Sequence, residues 1–212
     1  MERIGALTYD EEKHEYRFGG WRVPSVTEIL SPITADGYSK INPAVLEHAA
    51  MKGTVVHDWC QLYDFDCADE FMPTEIAPYC QAYMDFVRDY KPQWEKIEEI
   101  IYCADRFYAG RLDRYGIIQG RESVVDIKTI ANPTTKNHIS VCCQTAAYAY
   151  AIDPVGMPRR YALYLQKDGT YKLFDCEKYE EKNNFSGERL FFRLKDICET
   201  INKIGRRKGN GK

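Results

Sequence analysis

The sequence predicts an α/β or α+β fold with a central mixed β-sheet flanked by helices. Three observations predict it: helical periodicity over about residues 43–90, consecutive strand-like segments between residues 95 and 128, and a later helix, hairpin and closing helix. A chain of 212 residues that is 44% hydrophobic and 29% charged is typical of one globular domain. We expect its core over about residues 43–204.

Residues 1–42 predict a small β-meander and a first helix. RIGALTY and EYRF are strand-like, and a Gly-Gly turn separates EYRF from WRVP. Pro24 ends the last strand, and Ser25 with Glu28 matches a capping box, so a short helix begins there. The segment SPITADGYSKI that follows is rich in turn residues and is predicted to be a loop.

Two helices are predicted next. Between about Pro43 and Tyr63, residues of one helix face recur three and four positions apart, namely Leu46, Ala50, Gly53, His57 and Cys60. His57 is therefore expected on the apolar face of this helix. The second helix runs over about residues 74–90 and ends before a Lys-Pro pair.

The middle and the end of the chain predict strands, a helix and a hairpin. YAGRLDRYGII and ESVVDIKT are strand-like and flank a Gln-Gly turn. A helix is expected over residues 138–152, and an Asp-Gly hairpin between RYALYLQ and TYKLFD. A closing helix carries a heptad-like apolar stripe, which consists of Leu190, Leu194, Ile197, Ile201 and Ile204. The basic tail, residues 205–212, is expected to be a frayed end, with non-specific phosphate contact as the alternative.

Two aspartates are predicted to face each other across the first hairpin. A turn centred on the Gln-Gly pair sets Asp113 opposite Asp126, and like charges at that spacing destabilise a sheet. Because side chains two residues apart share a strand face, Arg111 and Lys128 lie on the same side. So much charge on one face predicts either a solvated surface of ion pairs or a face that opens onto a functional site.

The D/E-x-K tripeptide at residues 126–128 is weak evidence by itself. It also occurs at residues 11–13, 89–91 and 180–182, but only the copy at 126–128 lies in an apolar strand with a second aspartate opposite. Mg²⁺ binds one or two carboxylates and leaves its other positions to water and phosphate. The two aspartates therefore predict a divalent-cation site, with Lys128 placed to assist proton transfer or to offset developing charge.

Further motifs surround this pair in a defined order. They are Gly53-Thr-Val-Val-His57, Glu98 ahead of Ala109-Gly110-Arg-Leu-Asp113, Asp126-Ile-Lys128-Thr129, and Gln144-Thr-Ala-Ala-Tyr148. Over about residues 53–148 the chain resembles the PD-(D/E)XK nuclease superfamily and, within it, the RecB-like and phage-exonuclease branch. PSVTEIL also resembles the corresponding segment of phage members. The resemblance implies a restriction-endonuclease-like core within a single nuclease domain.

The resemblance also implies roles for individual residues. The implied metal ligands are the side chains of His57, Asp113 and Asp126 and the main-chain carbonyl of Ile127. The other implied catalytic groups are Lys128, which would serve the attacking water, and Glu98, Gln144 and Tyr148. The candidate DNA-binding residues are Arg111, Ser25 and Thr27. Ser25 and Thr27 lie at a predicted helix start, where free main-chain N–H groups can bind phosphate.

Several of these residues have simpler explanations. A histidine on an apolar helix face is often a hydrogen-bonded core residue. Gln144 and Tyr148 share a helix face on which they can bond to each other, and helix capping accounts for Ser25. Glu99 is an alternative to Glu98, because the register with the G-x-x-D strand favours Glu98 whereas period-two alternation groups Glu99 with an apolar position.

The resemblance implies a Mg²⁺-dependent DNA nuclease in which Mn²⁺ would substitute. An exonuclease acting on DNA ends in phage-type recombination or repair is the first expectation. A structure-selective or single-strand endonuclease and an inactive nucleic-acid-binding relative are the alternatives. DNA is the expected partner, and a single-strand annealing protein, a helicase and further copies of the chain are candidate partners.

Composition and charge argue against other classes. A net charge of −3 argues against binding through bulk positive charge, although cations at a carboxylate site can still hold a polyanion. The eight cysteines include no C-x-x-C pair, so no iron-sulfur cluster is expected. Without a signal-peptide-like start or an apolar run of about 18 residues, we expect no membrane partner and a cytoplasmic location in a bacterial or phage-infected cell.

Overall fold

Across its described residues, the molecule contains two β-sheets with helices packed around them. The computed structural model describes residues 7–11, 13–38, 42–68, 72–130 and 132–209. The N-terminal sheet is antiparallel, with the order β1-β2-β3 for strands β1 (Leu7–Asp10), β2 (Glu15–Phe18) and β3 (Trp21–Val23). The predicted β-meander is therefore confirmed, while residues 3–6 of its first strand lie outside the described part of the chain.

The second sheet is the central mixed sheet of the predicted fold. Its order is β4-β5-β6-β7-β8, for strands β4 (Gln93–Cys103), β5 (Tyr108–Ile118), β6 (Arg121–Lys128), β7 (Arg159–Leu165) and β8 (Tyr171–Asp175). Neighbouring strands are antiparallel except β6 and β7, which are parallel. A parallel pair needs a crossover connection, and helix α4 (Thr135–Ile152) provides it.

Helices cover both faces of this sheet. The other helices of the described chain are α1 (Val26–Tyr38), α2 (Pro43–Asp64), α3 (Ala77–Tyr90), α5 (Cys176–Lys182) and α6 (Gly187–Gly209). Val124 packs with residues of α1, α4 and α6, whereas Val125 packs with residues of α2 and α3. Successive strand residues point to opposite faces, so the two valines mark two core layers. Among the described residues, no helix has the length and apolar character needed to cross a membrane.

Helix α1 is longer than the short helix predicted from its capping signal. The loop predicted for SPITADGYSKI is wrong over residues 31–38, which are helical even though Pro32 lies inside the helix. Burial explains the difference, because Leu30 lies in the core and Ile33 packs against it. An apolar face thus continues past the proline, and tertiary packing outweighs the local turn propensity. Residues 39–41 lie outside the described part of the chain.

The C-terminal segment also differs from the prediction. Helix α5 is an addition to the predicted elements, and Asp175 Oδ1 caps its start by accepting a hydrogen bond from Lys178 N at 3.0 Å. Helix α6 continues to Gly209, so the prediction of a frayed basic tail is wrong over residues 205–209. Residues 210–212 lie outside the described part of the chain.

The apolar stripe on α6 is buried only near the start of the helix. Leu194 is buried and Leu190 packs against the core, where α6 contacts α1 and α4. Ile197 and Ile201 are 52% and 62% exposed. The side chain of Ile204 lies outside the described part of the chain. The heptad pattern therefore predicts the helix correctly and overstates how much of it is buried.

The register of the β5–β6 hairpin is as predicted. The two strands pair Arg114 with Val125, so the next position in the same register sets Asp113 against Asp126. The turn residue Gln119 has a φ of +50°, in the left-handed region that such hairpin turns require. The hairpin thus brings the two aspartates to the same level of the sheet.

Candidate metal and catalytic site

Three of the predicted site residues converge from three different elements. His57 on α2, Glu98 on β4 and Asp113 on β5 each offer one ligand atom, and these atoms all lie within 4.8 Å of one another. His57 Nδ1 lies 3.2 Å from Glu98 Oε1 and 3.7 Å from Asp113 Oδ2. Over the residues that the structure describes, no other trio of histidine, cysteine or acidic side chains has metal-ligand spacing. We call these residues the acidic triad.

The main chain at Glu98 decides which of the two candidate glutamates enters the site. Glu98 has a φ of +49°, in the left-handed region that residues other than glycine seldom adopt, and its carboxylate reaches His57. Glu99 instead forms an ion pair with Lys96, whose Nζ lies 2.6 Å from Glu99 Oε1, and 46% of the Glu99 side chain is exposed. The geometry therefore selects Glu98 over Glu99.

The peptide group of Ile127 links Asp113 and His57. Asp113 Oδ2 accepts a hydrogen bond from Ile127 N at 2.6 Å, and His57 Nε2 donates one to the Ile127 carbonyl at 3.1 Å. The Asp113 carboxylate thus satisfies a main-chain donor of β6. It is directed at the Ile127 main chain instead of at Asp126. The carbonyl that the family resemblance implies as a metal ligand therefore lies beside the acidic triad.

Asp126 and Lys128 form a second group next to the triad. Only 1% of Asp126 is exposed, and both of its carboxylate oxygens are buried without a hydrogen bond. Lys128 Nζ lies 2.8 Å from Asp126 Oδ2, close enough for an ion pair, and donates a hydrogen bond to Gln144 Oε1 at 3.3 Å. Asp126 is not a member of the triad. The predicted set is thus divided between two adjacent clusters.

Gln144 and Tyr148 lie on one face of α4, as predicted. Gln144 Nε2 donates to the Tyr148 hydroxyl at 3.4 Å, and the Tyr148 side chain is buried. The Tyr148 ring also explains the glycine of the G-x-x-D motif, because a Cβ atom at Gly110 would lie 2.8 Å from Tyr148 Cε1. Real side chains essentially never approach so closely, so only glycine lets α4 come this near to β5.

Most of the predicted residues open onto one cleft of about 290 Å³. The predicted residues that line it are Ser25, Thr27, His57, Glu98, Arg111, Asp113, Gln144 and Tyr148. Lys128 lines a neighbouring cavity of about 270 Å³ that shares Thr27 and Gln144 with the cleft. The two cavities therefore adjoin across those two side chains, and Lys128 lies on the far side of Gln144.

The predicted capping box at the start of α1 is half formed. Ser25 Oγ accepts a hydrogen bond from Glu28 N at 3.0 Å, as a helix cap does, and is also hydrogen-bonded to Thr27 Oγ1 at 3.1 Å. The Glu28 carboxylate accepts two hydrogen bonds from Arg22 at 3.1 and 3.0 Å instead of returning to Ser25. Capping therefore accounts for Ser25, which also lines the cleft.

Arg111 lines the same cleft, and its Nε atom lies 3.5 Å from Glu98 Oε2.

The charges of the acidic triad are coupled. Burial lowers the pKa of His57, but the charge of Asp113 and the hydrogen bond with Glu98 outweigh burial and raise that pKa to about 9. Burial raises the pKa of Asp113 to about 6 against the opposing charge of His57, and Asp126 adds to the rise. Burial also acts to raise the pKa of Glu98, but His57 and Arg114 hold it below its usual value. At neutral pH a cationic imidazole therefore lies between carboxylates.

Sequence reasoning misses a buried arginine beneath the triad. Arg114 is fully buried and donates to Asp64 Oδ2 at 2.6 Å, to Glu98 Oε1 at 3.0 Å and to the carbonyl of Asp113 at 2.7 Å. Tyr83 donates to the same Asp64 oxygen at 2.6 Å. An arginine in the middle of an apolar strand is the signal that could have identified it. Its partner Asp64 lies 50 residues away in the chain and leaves no local signal.

The site as a whole combines a cation-binding donor set with an ammonium group. Its carboxylates, imidazole and main-chain carbonyl are groups that bind divalent metal ions, and Lys128 lies within reach of the same region. No protein-family model matches the chain. No curated protein matches the sequence either.

Proposed function

We propose that the protein is a Mg²⁺-dependent DNA nuclease of the PD-(D/E)XK type that acts as an exonuclease on DNA ends. The observation that carries the proposal is the convergence of His57, Glu98 and Asp113 beside the Asp126–Lys128 pair, from motifs that lie far apart in the sequence. A five-stranded mixed sheet with helices on both faces supports a restriction-endonuclease-like core.

The donor set suits a hard divalent cation. Mg²⁺ prefers oxygen ligands, and the site offers carboxylates from Glu98 and Asp113 and the carbonyl of Ile127. The imidazole of His57 lies among them and would release a proton on binding the ion, because only a neutral imidazole has a lone pair for a metal. Asp126 Oδ2 already has the Lys128 ammonium 2.8 Å away, whereas Asp126 Oδ1 is buried without a hydrogen bond, an unfavourable arrangement that a bound metal ion would relieve. These residues would hold the ion. A bound ion would polarise the scissile phosphate and stabilise the charge that develops on it.

Side chains of the protein would position the other reacting groups. In hydrolysis, a water oxygen forms a bond to phosphorus as the opposite P–O bond to the leaving nucleotide breaks, and the proton that the water loses is balanced by the one that the leaving oxygen takes up. Lys128 is held between Asp126 and Gln144, where its ammonium group can orient that water or offset phosphate charge. Arg111 and Thr27 line the cleft and would contact the DNA backbone.

A cleavage assay tests the proposal. Purified protein is incubated with linear DNA, covalently closed DNA and RNA in Mg²⁺, in Mn²⁺ and in excess EDTA, beside Asp113→Asn, Lys128→Ala and Glu99→Gln. We expect degradation of linear DNA only, no activity in EDTA, and rates at least about 100-fold lower in the first two variants. Glu99→Gln is the matched control, because Glu99 adjoins Glu98 in the chain and bonds to Lys96 outside the site.

Other outcomes would assign other functions. Nicking of closed circles would indicate a structure-selective or single-strand endonuclease. If neither DNA nor RNA is cleaved with either metal, the proposal of an enzyme is wrong and a nucleic-acid-binding relative remains. Wild-type rates in both Asp113→Asn and Lys128→Ala would show that the activity does not come from this site.

A further inference from the structure

The part of the cleft wall that the β-meander contributes is aromatic. Tyr9, His14 and Tyr16 line the same cleft as His57 and Asp113. The rings of Tyr9 and Tyr16 are stacked, with centroids 4.6 Å apart and an interplanar angle of 27°. The Tyr9 hydroxyl is hydrogen-bonded to His14 Nδ1 at 2.9 Å. The three rings therefore form one connected unit, which we call the aromatic wall.

The aromatic wall is fixed to the strand that carries Asp113. Tyr16 is buried in a small cluster with Val23 and with Ala109 of β5. The chain that follows β3 is tied to the same place, because Ala109 N donates a hydrogen bond to the carbonyl of Pro24 at 3.1 Å. Asp113 lies four residues further along β5. The position of the wall relative to the acidic triad is thus set by packing and main-chain hydrogen bonds.

Packing of the β-meander accounts for only part of the wall. Tyr16 is a core residue, and Tyr9 packs against the same cluster while remaining partly exposed. His14 is exposed, belongs to no hydrophobic cluster of the described residues, and has a φ of +48° that directs the chain through a tight turn. An exposed imidazole held by Tyr9 beside a polar cleft adds nothing to the core. It does present an aromatic ring to whatever enters the cleft.

The cleft therefore has a charged part and an aromatic part. The acidic triad and Arg111 suit a phosphate with its accompanying cation, as proposed above. Aromatic rings suit the flat faces of nucleobases, and base–aromatic stacking is the usual way in which proteins hold unpaired bases. A cavity of about 290 Å³ lies at the lower end of the size range of ligand pockets, which suits one nucleotide. Phosphate and base are the two ends of that ligand.

We infer that the aromatic wall binds an unpaired nucleobase of the DNA strand whose phosphate lies at the acidic triad. The faces of a paired base are covered by its neighbours in the duplex, so a base can reach the wall only after it has left the stack, which costs least in a single strand, an overhang or a frayed end. This inference rests on the proposed nuclease function and narrows its substrate to DNA with unpaired nucleotides at the site. Blunt duplex ends should be cleaved more slowly than ends with an overhang.

A double-mutant cycle between protein and DNA tests the inference. Binding of a fluorescent single strand of about 12 nucleotides is measured by anisotropy in Mg²⁺, with the Lys128→Ala protein as background and one base removed at a time along the strand. We expect one position at which base removal weakens binding about 5-fold to 150-fold. Adding His14→Ala or Tyr9→Leu should reduce that penalty to less than about twofold, because the stacking partner is gone.

A matched control comes from the same β-meander. Trp21 is 75% exposed on β3 and lies outside the lining of the cleft. Trp21→Ala should therefore leave unchanged the loss of binding caused by removing a base, which we call the abasic penalty. His14 is exposed and its ring bonds only to Tyr9 among the described residues, so His14→Ala is expected to fold normally. Tyr9→Phe separates ring from hydroxyl, because it keeps the stacking surface and loses the bond to His14.

The outcomes separate this inference from the proposed function. If wild-type protein degrades DNA but the abasic penalty is the same in His14→Ala and Trp21→Ala, the aromatic wall does not bind a base and the nuclease proposal stands. If removing a base weakens binding at no position of the strand, the conclusion is the same: the aromatic wall does not bind a base. In the opposite case, removal of one base weakens binding, His14→Ala or Tyr9→Leu reduces that penalty, and no metal-dependent cleavage occurs. The base site is then supported and the nuclease proposal fails.

Discussion

Replacing Arg114 by methionine should destabilise the protein more than any exposed charge substitution. Arg114 is fully buried, and its guanidinium donates to Asp64, Tyr83, Glu98 and the Asp113 carbonyl at 2.6 to 3.3 Å. Methionine retains the apolar stem of the side chain and removes the charge and all of these donors. The buried carboxylate of Asp64 then loses its cation, and Glu98 loses one of its three cationic partners, the others being His57 and Arg111.

The expected loss of unfolding free energy is about 3–5 kcal/mol, the usual cost of removing one partner of a buried ion pair. For a chain of 212 residues this corresponds to a fall in Tm of about 6–20 °C, at about 2–4 °C per kcal/mol. The loss should grow with pH. Burial already raises the pKa of Asp64, and without Arg114 that pKa should rise further.

The sign of this pH dependence follows from the direction of the shift. An acid whose pKa is raised by folding favours the folded state only while it is protonated, so its contribution is lost as pH rises through the folded pKa. Arg114→Met should therefore lose less stability at pH 5 than at pH 8. Urea unfolding at both pH values, followed by circular dichroism, measures the difference.

Two variants serve as controls. Arg88→Met removes an arginine whose side chain is 67% exposed and whose partners are Asp85 and Asp89, and we expect no measurable change in stability. Asp64→Asn combined with Arg114→Met removes both charges and should recover part of the loss. A loss in Arg114→Met that is as small as that of Arg88→Met, or one independent of pH, would show that Arg114 is not a buried charge held by acidic partners.

Three further predictions concern packing and metal binding. Gly110→Ala should lower the free energy of unfolding in urea by about 1–3 kcal/mol, because the added Cβ would lie 2.8 Å from the Tyr148 ring. In the control Gly53→Ala the nearest atom to the added Cβ is 3.8 Å away, so that variant should be neutral or stabilising. Mn²⁺ at about 100 times its Kd should stabilise the folded wild type by about 2.7 kcal/mol, which is measured as a rise in Tm. Glu98→Gln should abolish most of that rise, because it removes one carboxylate of the acidic triad. Leu194→Ala should cost about 2–5 kcal/mol, while Ile201→Ala, at a 62% exposed position of the same helix, should change stability by less than about 0.5 kcal/mol.

Local sequence patterns were sufficient wherever local physics decides the structure. Strand periodicity and the turn at residues 119–120 predicted the β5–β6 register that pairs Arg114 with Val125. The spacing of Gln144 and Tyr148 predicted that they share a face of α4, and they are hydrogen-bonded there. In both cases the period of one element determines which side chains are neighbours.

The choice between Glu98 and Glu99 could not be made in the same way. The alternation of an ideal strand groups Glu99 with an apolar position, but the positive φ at Glu98 breaks the alternation. The Glu98 carboxylate is then held by His57 on α2 and Arg114 on β5, two elements that come together only in the folded chain. Residues that depend on such contacts have no period to reveal them.

The sequence by itself determined the order of most elements, the hairpin register and the residues that can carry chemistry, because periodicity, turn residues and motif spacing are local properties of the chain. Only the tertiary structure decided how those residues are grouped. Asp113 turns to the main chain of Ile127 and joins His57 and Glu98, while Asp126 pairs with Lys128. The reason is that a buried carboxylate takes its direction from the donors and cations around it, and these come from distant parts of the chain.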